Sequence, residues 1–149
     1  MAIPQDADRN QVLEAVRDSF GRQTFMVTLG AQLETVSRGI VVIDFNRNEA
    51  LLQQHGYLHA GVATSIVDSA CGYAALSSAP LGSEVLTIEF KINFLRPMAG
   101  DSFRATGRVI KAGKAITVCE GTVTASDRDD AIVATMSATM MILSGNRLQ

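Results

Sequence analysis

Residues 60–76 read Ala60-Gly61-Val62-Ala63-Thr64-Ser65-Ile66-Val67-Asp68-Ser69-Ala70-Cys71-Gly72-Tyr73-Ala74-Ala75-Leu76. This is the only long apolar stretch of the chain without the two-residue alternation of a strand. Val62, Ile66, Val67, Ala70 and Ala74 spread around the circumference of a helix. A helix that is apolar on most sides is a buried one. Whatever else the chain forms must therefore enclose it. A Gly-containing turn, His55-Gly56-Tyr57-Leu58-His59, opens the segment, and Ser77-Ser78-Ala79-Pro80-Leu81-Gly82 closes it.

Past that closing turn the period changes to two. Leu86, Ile88, Phe90, Ile92 and Phe94 alternate with Thr87, Glu89, Lys91 and Asn93, which predicts a strand with one buried face and Thr87 on the polar one. Arg96 to Asp101 is a turn. Phe103–Ile110 and Ile116–Ala125 form a hairpin through Lys111-Ala112-Gly113-Lys114. Asp127-Arg128-Asp129-Asp130 is the next turn, and Ile132–Leu143 is the last strand. On the N-terminal side, Asp8–Phe20 carries Val12, Val16 and Phe20 at helical spacing. Ala31–Ser37 and the β-branched run Ile40–Phe45 read as strands. Four strands after the buried helix, with no crossover helix between them, imply an α+β fold with an antiparallel sheet. That sheet must curl around the central helix. The whole of 1–149 is expected to be one domain, its core about 25–143 and its N-terminal helix about 8–20.

Composition bounds the function. The chain has 149 residues, 47% hydrophobic and 19% charged, enough for a core and an apolar surplus that suggests subunit packing. A formal charge of −2 gives no global attraction to nucleic acid or an anionic membrane. No run approaches a membrane span. The start, Met1-Ala2-Ile3-Pro4-Gln5-Asp6, lacks a basic-then-apolar leader. Cys71 and Cys119 lie in apolar segments without CxxC spacing, as buried thiols in a reducing compartment would. The expectation is a cytoplasmic protein.

Chemistry concentrates at the buried helix. The Ala60 and Gly61 N–H groups at its start lack intrahelical acceptors and sit at the positive end of the dipole. Asp68 lies about two turns further on, nearly back on the same face. A polarising amide and a water-activating acid are what thioester hydrolysis needs. A helix start without a ligand and a structural acid are the alternative readings of the same residues. His55 and His59 are the only histidines; a zinc site would need further ligands, and no metal is expected. His59 is read as fixing the turn. A Cys71–His catalytic pair would require a lowered thiol pKa at a buried position. Arg96, Lys111 and Lys114 fall at strand ends, either a solvated face or a docking point for phosphates. Gly21, Gly30 and Gly39 are too widely spaced for a nucleotide-binding loop. Met136, Met140 and Met141 fill the core or line an adaptable pocket.

His59-Ala60-Gly61, Asp68 and Gly72 in one helix, followed by Asn93-Phe94-Leu95-Arg96-Pro97 closing a long strand, resemble the hotdog-fold acyl-CoA thioesterases, in particular their phenylacetate-pathway (PaaI-like) subgroup. The resemblance covers roughly 25–143. It implies a sheet wrapped around a central helix and hydrolysis of acyl-CoA to a free acid and coenzyme A. The family's His-Gly-Gly is His59-Ala60-Gly61 here, and Ala60 keeps its N–H. An Asn often found six positions earlier is Gln53, a longer amide able to orient thioester or water. A hydroxyl residue on the long strand of the neighbouring subunit holds the water in some members, and Thr87 occupies that position. The implied catalytic set is Asp68, Gly61, Ala60, Gln53 and Thr87. The implied substrate-binding set is His59, Asn93, Arg96, Lys111 and Lys114. Coenzyme A belongs to the substrate, and no separate cofactor is implied. A homodimer, paired into a homotetramer, would complete the site and cover the edge of the long strand. The fold also hosts acyl-thioester hydratases and dehydratases that use an acid–His pair, and non-catalytic acyl-CoA-binding proteins, so both stay open at this point.

Overall fold

In the computed structural model, which describes residues 4–145, the apolar segment is a helix over Ala60–Ser77 that packs against every strand of one sheet. In chain order the elements are α1 (Pro4–Gly21), α2 (Thr24–Thr28), β1 (Gln32–Ser37), β2 (Ile40–Asn46), a 3-10 turn (Glu49–Leu51), α3 (Ala60–Ser77), β3 (Ser83–Phe94), β4 (Ser102–Ala112), β5 (Ile116–Ala125) and β6 (Ala131–Ser144). The six strands form one antiparallel sheet in the order β1-β2-β4-β5-β6-β3. This is the α+β arrangement expected, a sheet wrapped around a central helix. Met1–Ile3, on which part of the leader reading rests, lie outside the described residues.

Helix α3 is buried over most of its length, including Val62, Ile66, Val67, Ala70, Cys71 and Ala74. Sheet and helix approach so closely because of one glycine pair. Gly107 of β4 and Gly121 of β5 face each other in register beneath α3. A Cβ at Gly107 would overlap the backbone of Ala70 and Cys71; one at Gly121 would lie 2.5 Å from Val67 Cγ2. Side chains at these two positions would lift the helix off the sheet. Helix α1 closes the other side of α3, with Phe20 edge-on to Tyr73 at 5.9 Å between ring centroids.

Strand β3 departs from its predicted pattern in two ways. Its apolar row is not buried within one chain: Leu86, Ile88, Phe90 and Phe94 remain 42–50% exposed, because β3 is an edge strand. A β-bulge between Thr87 and Glu89 also breaks the alternation. Phe90, Ile92 and Phe94 pair with Ala138, Met136 and Ala134, whose side chains point inward. On the far side of the bulge the inward residues are Val85 and Thr87, opposite Ile142 and Met140. Thr87, expected on the polar face, therefore points at the helix. An extra residue in one strand produces this reversal.

Candidate active site

The start of α3 is set by His59. Its backbone is extended (φ −61°, ψ 137°), and its Nδ1 accepts from the Gly61 N–H at 2.8 Å. His59 is thus a helix cap, in line with its reading as the residue that fixes the turn. The capping has a consequence for the expected pair of amides. Gly61 already has an acceptor, whereas the Ala60 N–H has none among the described residues. Ala60 is the amide left to meet a ligand.

The preceding loop holds Gln53 in place. Its N–H donates to the Tyr57 carbonyl (2.9 Å), and its carbonyl accepts from Gly56 (3.0 Å). Its side-chain oxygen accepts from the His55 and Tyr57 amides. The carboxamide oxygen is occupied by the loop, while the NH2 group has no partner among the described residues. A cleft of about 470 Å³ opens here, bordered by Gln53, Tyr57, His59, Ala60, Phe94 and Arg96. Arg96 Nη1 donates to the Ile132 carbonyl at 2.6 Å, which ties the end of β3 to the start of β6.

Asp68 lies at a second cleft of about 230 Å³, lined among others by Thr87, Ser69, Gly72, Tyr73 and Val85. It is half-buried, and the Thr87 Oγ1–H donates to its Oδ1 at 2.8 Å. Burial raises its pKa above the ordinary carboxylate value; the Thr87 hydrogen bond opposes that and is the smaller effect. A carboxylate with raised proton affinity, held by a hydroxyl at a cleft, suits a general base. The resemblance assigned the hydroxyl to a neighbouring subunit. Within this single chain Thr87 of the same subunit makes the contact, because the bulge turns it inward.

Not every expected residue comes to these clefts. Asn93 pairs with Thr135 on the face of the sheet turned away from α3, beside Lys91, Glu120 and Thr122. Lys111 and Lys114 flank the β4–β5 turn, next to the Leu86 end of β3, since Ile116 and Leu86 both pair with Met141. Arg96 follows the opposite end, where Phe94 pairs with Ala134. One chain thus separates Arg96 from both lysines by roughly 30 Å, the length of a nine-residue strand step. Both thiols are buried, and burial is the first cause of their raised pKa: Cys119 to about 11, and Cys71 further in the same direction. That is opposite to what a nucleophilic thiol needs. His59 precedes Asp68 by nine helix positions, about 13 Å of rise, so the two do not form an acid–His pair within one chain.

The sequence reading missed Tyr73, Ser19 and Gln23. Gln23 Nε2 donates to the Tyr73 hydroxyl at 2.7 Å, and Ser19 Oγ lies 3.1 Å from the same oxygen. A phenol inside an otherwise apolar helix was the available signal, because a buried hydroxyl finds partners.

Residues 55–132 match the model of the Thioesterase superfamily. Among solved structures, a Thioesterase family protein from Silicibacter pomeroyi is 46% identical, with TM-score 0.86 over 90% of this chain and 99% of that one. The E. coli PaaI protein from the phenylacetic acid degradation operon shares the fold at 23% identity, with TM-score 0.83 over 93% of this chain and 98% of its own. The medium/long-chain acyl-CoA thioesterase YigI of Salmonella typhimurium is 26% identical over 89% of this chain and 94% of its length. A Saccharolobus solfataricus relative, named provisionally as an esterase, is 39% identical over 62% of this chain, a match that spans 61% of that protein's length. No described helix is long and apolar enough to cross a membrane. With the sheet wrapped around α3, an acid in its middle and this match running from His55 to Ile132, the chain belongs to the Thioesterase superfamily of hotdog-fold thioester hydrolases.

Proposed function

We propose that the protein is an acyl-CoA thioesterase that works as a homodimer, with Asp68 as general base on water and the Ala60 amide as the oxyanion donor. The observation that carries the reading is the half-buried Asp68, proton-affine through burial and held by Thr87 at 2.8 Å on the wall of a cleft. Water activated there attacks the thioester carbonyl. The C–S bond then breaks, giving a free acid and the coenzyme A thiol. Relatives named as acyl-CoA thioesterases support that substrate class.

The dimer follows from distance. Asp68 and Ala60 are eight helix positions apart, about 12 Å of rise. A base and an oxyanion donor must both lie about 3 Å from one reacting carbonyl. The two groups of one chain cannot do this together. An antiparallel pairing of β3 with β3 of a second copy solves the problem and covers the exposed Leu86, Ile88, Phe90 and Phe94. It sets the Thr87–Asp68 end of one copy beside the Phe94–Arg96 end of the other, where the Ala60 cleft opens. Arg96 of the partner subunit then approaches the end that carries Lys111 and Lys114, making one basic rim for the coenzyme A phosphates. A soluble, cytoplasmic site of action and pairing of dimers into a tetramer complete the proposal.

The test is thiol release from a panel of acyl-CoAs by wild type and Asp68→Asn. The expected result is turnover that falls at least about 100-fold in the folded variant. Turnover kept by the variant would remove Asp68 from the chemistry, and no release by wild type would remove the activity.

A further inference from the structure

We infer that Gly72 is a positioning residue of the reaction: its bare backbone keeps open the space beside Asp68 in which the attacking water stands. This inference rests on the thioesterase reading above and adds to it the place of the water.

A glycine inside a helix needs a reason. It is less stable there than alanine, because it gives up more backbone freedom on folding. Gly72 lies in the interior of α3 and is buried. The two usual reasons for such a glycine do not hold. Its φ is outside the left-handed region that favours glycine. Close approach of another element does not demand it either. A Cβ would overlap the Ala70 backbone at Gly107 and lie 2.5 Å from Val67 Cγ2 at Gly121, whereas at Gly72 it would meet nothing within 4 Å. Alanine therefore fits at this position and would stabilise the helix. What the glycine preserves is the space itself.

That space belongs to the Asp68 cleft, which Gly72 lines together with Asp68, Ser69 and Thr87. Gly72 follows Asp68 by one helical turn on the same face. Helix side chains lean toward the N-terminus, so a side chain at 72 would lean toward Asp68. The polar atoms here suit a water. Thr87 occupies Oδ1 of Asp68 at 2.8 Å, and Oδ2 has no partner among the described residues. Thr64 and Ser65 tie their hydroxyls back to the Ala60 and Gly61 carbonyls at 2.9 and 2.8 Å. The Ser69 hydroxyl has no partner among the described residues. No buried side-chain polar atom among them lacks a partner, so Oδ2 and the Ser69 hydroxyl are both open to the cleft. A bound water takes about two to four such partners. With the Ser69 hydroxyl donating to it and Oδ2 accepting from it, the water keeps one lone pair for attack. One water proton passes to Asp68 as the oxygen bonds to the thioester carbon. The C–S bond breaks, and the same proton goes on to the departing thiolate.

The experiment measures kcat and KM for acetyl-, hexanoyl- and decanoyl-CoA on wild type, Gly72→Ala and Gly72→Val, with melting curves and light scattering on the same samples. Gly72→Ala should keep the wild-type oligomeric state and melt about 1–4 °C higher, as alanine does in place of a glycine within a helix. Its kcat should nevertheless fall by about 10-fold or more, because a reacting group displaced by about 1 Å loses up to about 100-fold. KM should not change, and the factor should be the same for every substrate that wild type hydrolyses, since the water is common to all of them. Gly72→Val fills more of the space and should lose more. Wild-type kcat in Gly72→Ala would overturn the inference while the thioesterase reading stands. A loss that grows with acyl length would overturn it by giving the space to the acyl group. A smaller oligomer or a lower melting point would overturn it by giving Gly72 a packing role. No release by wild type from any of the substrates would overturn both readings.

Discussion

Replacing Ala60 by proline would delete one atom group that matters, the backbone N–H, and little else. Ala60 is the first residue of α3, the position where proline is best tolerated because the missing donor is an orphan there in any case. The residue before a proline is pushed toward extended conformations, and His59 already sits at φ −61°, ψ 137°. The N–H that would be lost has no acceptor among the described residues, so no internal hydrogen bond goes with it. The Gly61 N–H keeps its bond to His59 Nδ1 at 2.8 Å. Folding stability should therefore change by less than about 1 kcal/mol, a small shift in thermal midpoint. Catalysis should respond very differently. Loss of one preorganised oxyanion donor raises the barrier by about 3–4 kcal/mol, or about 100- to 1000-fold in kcat. The assay is thiol release at saturating acyl-CoA, alongside a melting curve. A folded Ala60→Pro enzyme with near-wild-type kcat would refute the assignment of this amide. A variant that lost its fold would refute the argument that the N–H is an orphan.

The other expectations test neighbouring parts of the same argument. Asp68→Asn keeps an acceptor for Thr87 and removes a carboxylate whose folded pKa is raised. A raised folded pKa means that wild type loses stability as pH rises through it, so the variant should melt higher at pH 7, by a few degrees at most. That difference should vanish below the ordinary carboxylate range, and a pH-independent difference would contradict it. Thr87→Val removes the one contact that lowers the Asp68 pKa, so the acid limb of the kcat/KM profile should move to higher pH; an unmoved limb would show that the contact does not govern the base. Gly107→Val should cost about 1–3 kcal/mol or more by forcing α3 off the sheet, read as a lower denaturation midpoint, whereas Gly21→Ala, where a Cβ meets nothing within 4 Å, should leave the midpoint nearly unchanged. The double variant Ile88→Glu/Phe90→Glu, which puts charge on the exposed apolar row, should give monomers by light scattering that release no thiol, and active monomers would exclude a shared site.

Much of this fold is legible in the residues because one segment leaves few choices. The run 60–76 has no polar side, so the alternating strands around it have to wrap it, and their order along the chain fixes an antiparallel sheet. The candidate acid was legible for the same reason, as a lone charge in an apolar helix. What stayed hidden is whatever depends on a single residue of register or on the far partner. Strict alternation places Thr87 outward with Glu89 and Lys91. The bulge at Ile88 has no signature of Gly or Pro in Leu86-Thr87-Ile88-Glu89, and only the pairing of β3 with β6 reveals it. Gly107 and Gly121 likewise look like ordinary strand-weakening glycines until α3 is laid across them. Arg96, Lys111 and Lys114 fall at successive strand ends in the sequence, but antiparallel order sends consecutive ends to opposite sides.

The bulge also explains why Asp68, the proposed base, and its hydroxyl partner Thr87 belong to one chain while the oxyanion donor is proposed to come from another. If β3 kept its alternation throughout, Leu86 and Ile88 would face α3, and Asp68 would meet hydrocarbon from its own subunit. Its desolvation would then be unrelieved, and a hydroxyl would have to arrive across the dimer edge. With one extra residue, Thr87 turns inward and supplies a donor at 2.8 Å before any second copy binds. Beyond the bulge the inward row is apolar again, from Phe90 to Phe94; Ile92 packs against the core, while Phe90 and Phe94 are still substantially exposed. Within the chain, the inward face of β3 is thus divided into a segment that serves its own acid and an apolar segment that the proposed dimer would cover. Deleting Ile88 puts this division to the test. Removal of the bulge would return Thr87 to the outer face and leave Asp68 without its hydrogen bond. Activity should fall at least as far as in Thr87→Val. A deletion variant that remained fully active would mean that the hydroxyl at Asp68 comes from elsewhere.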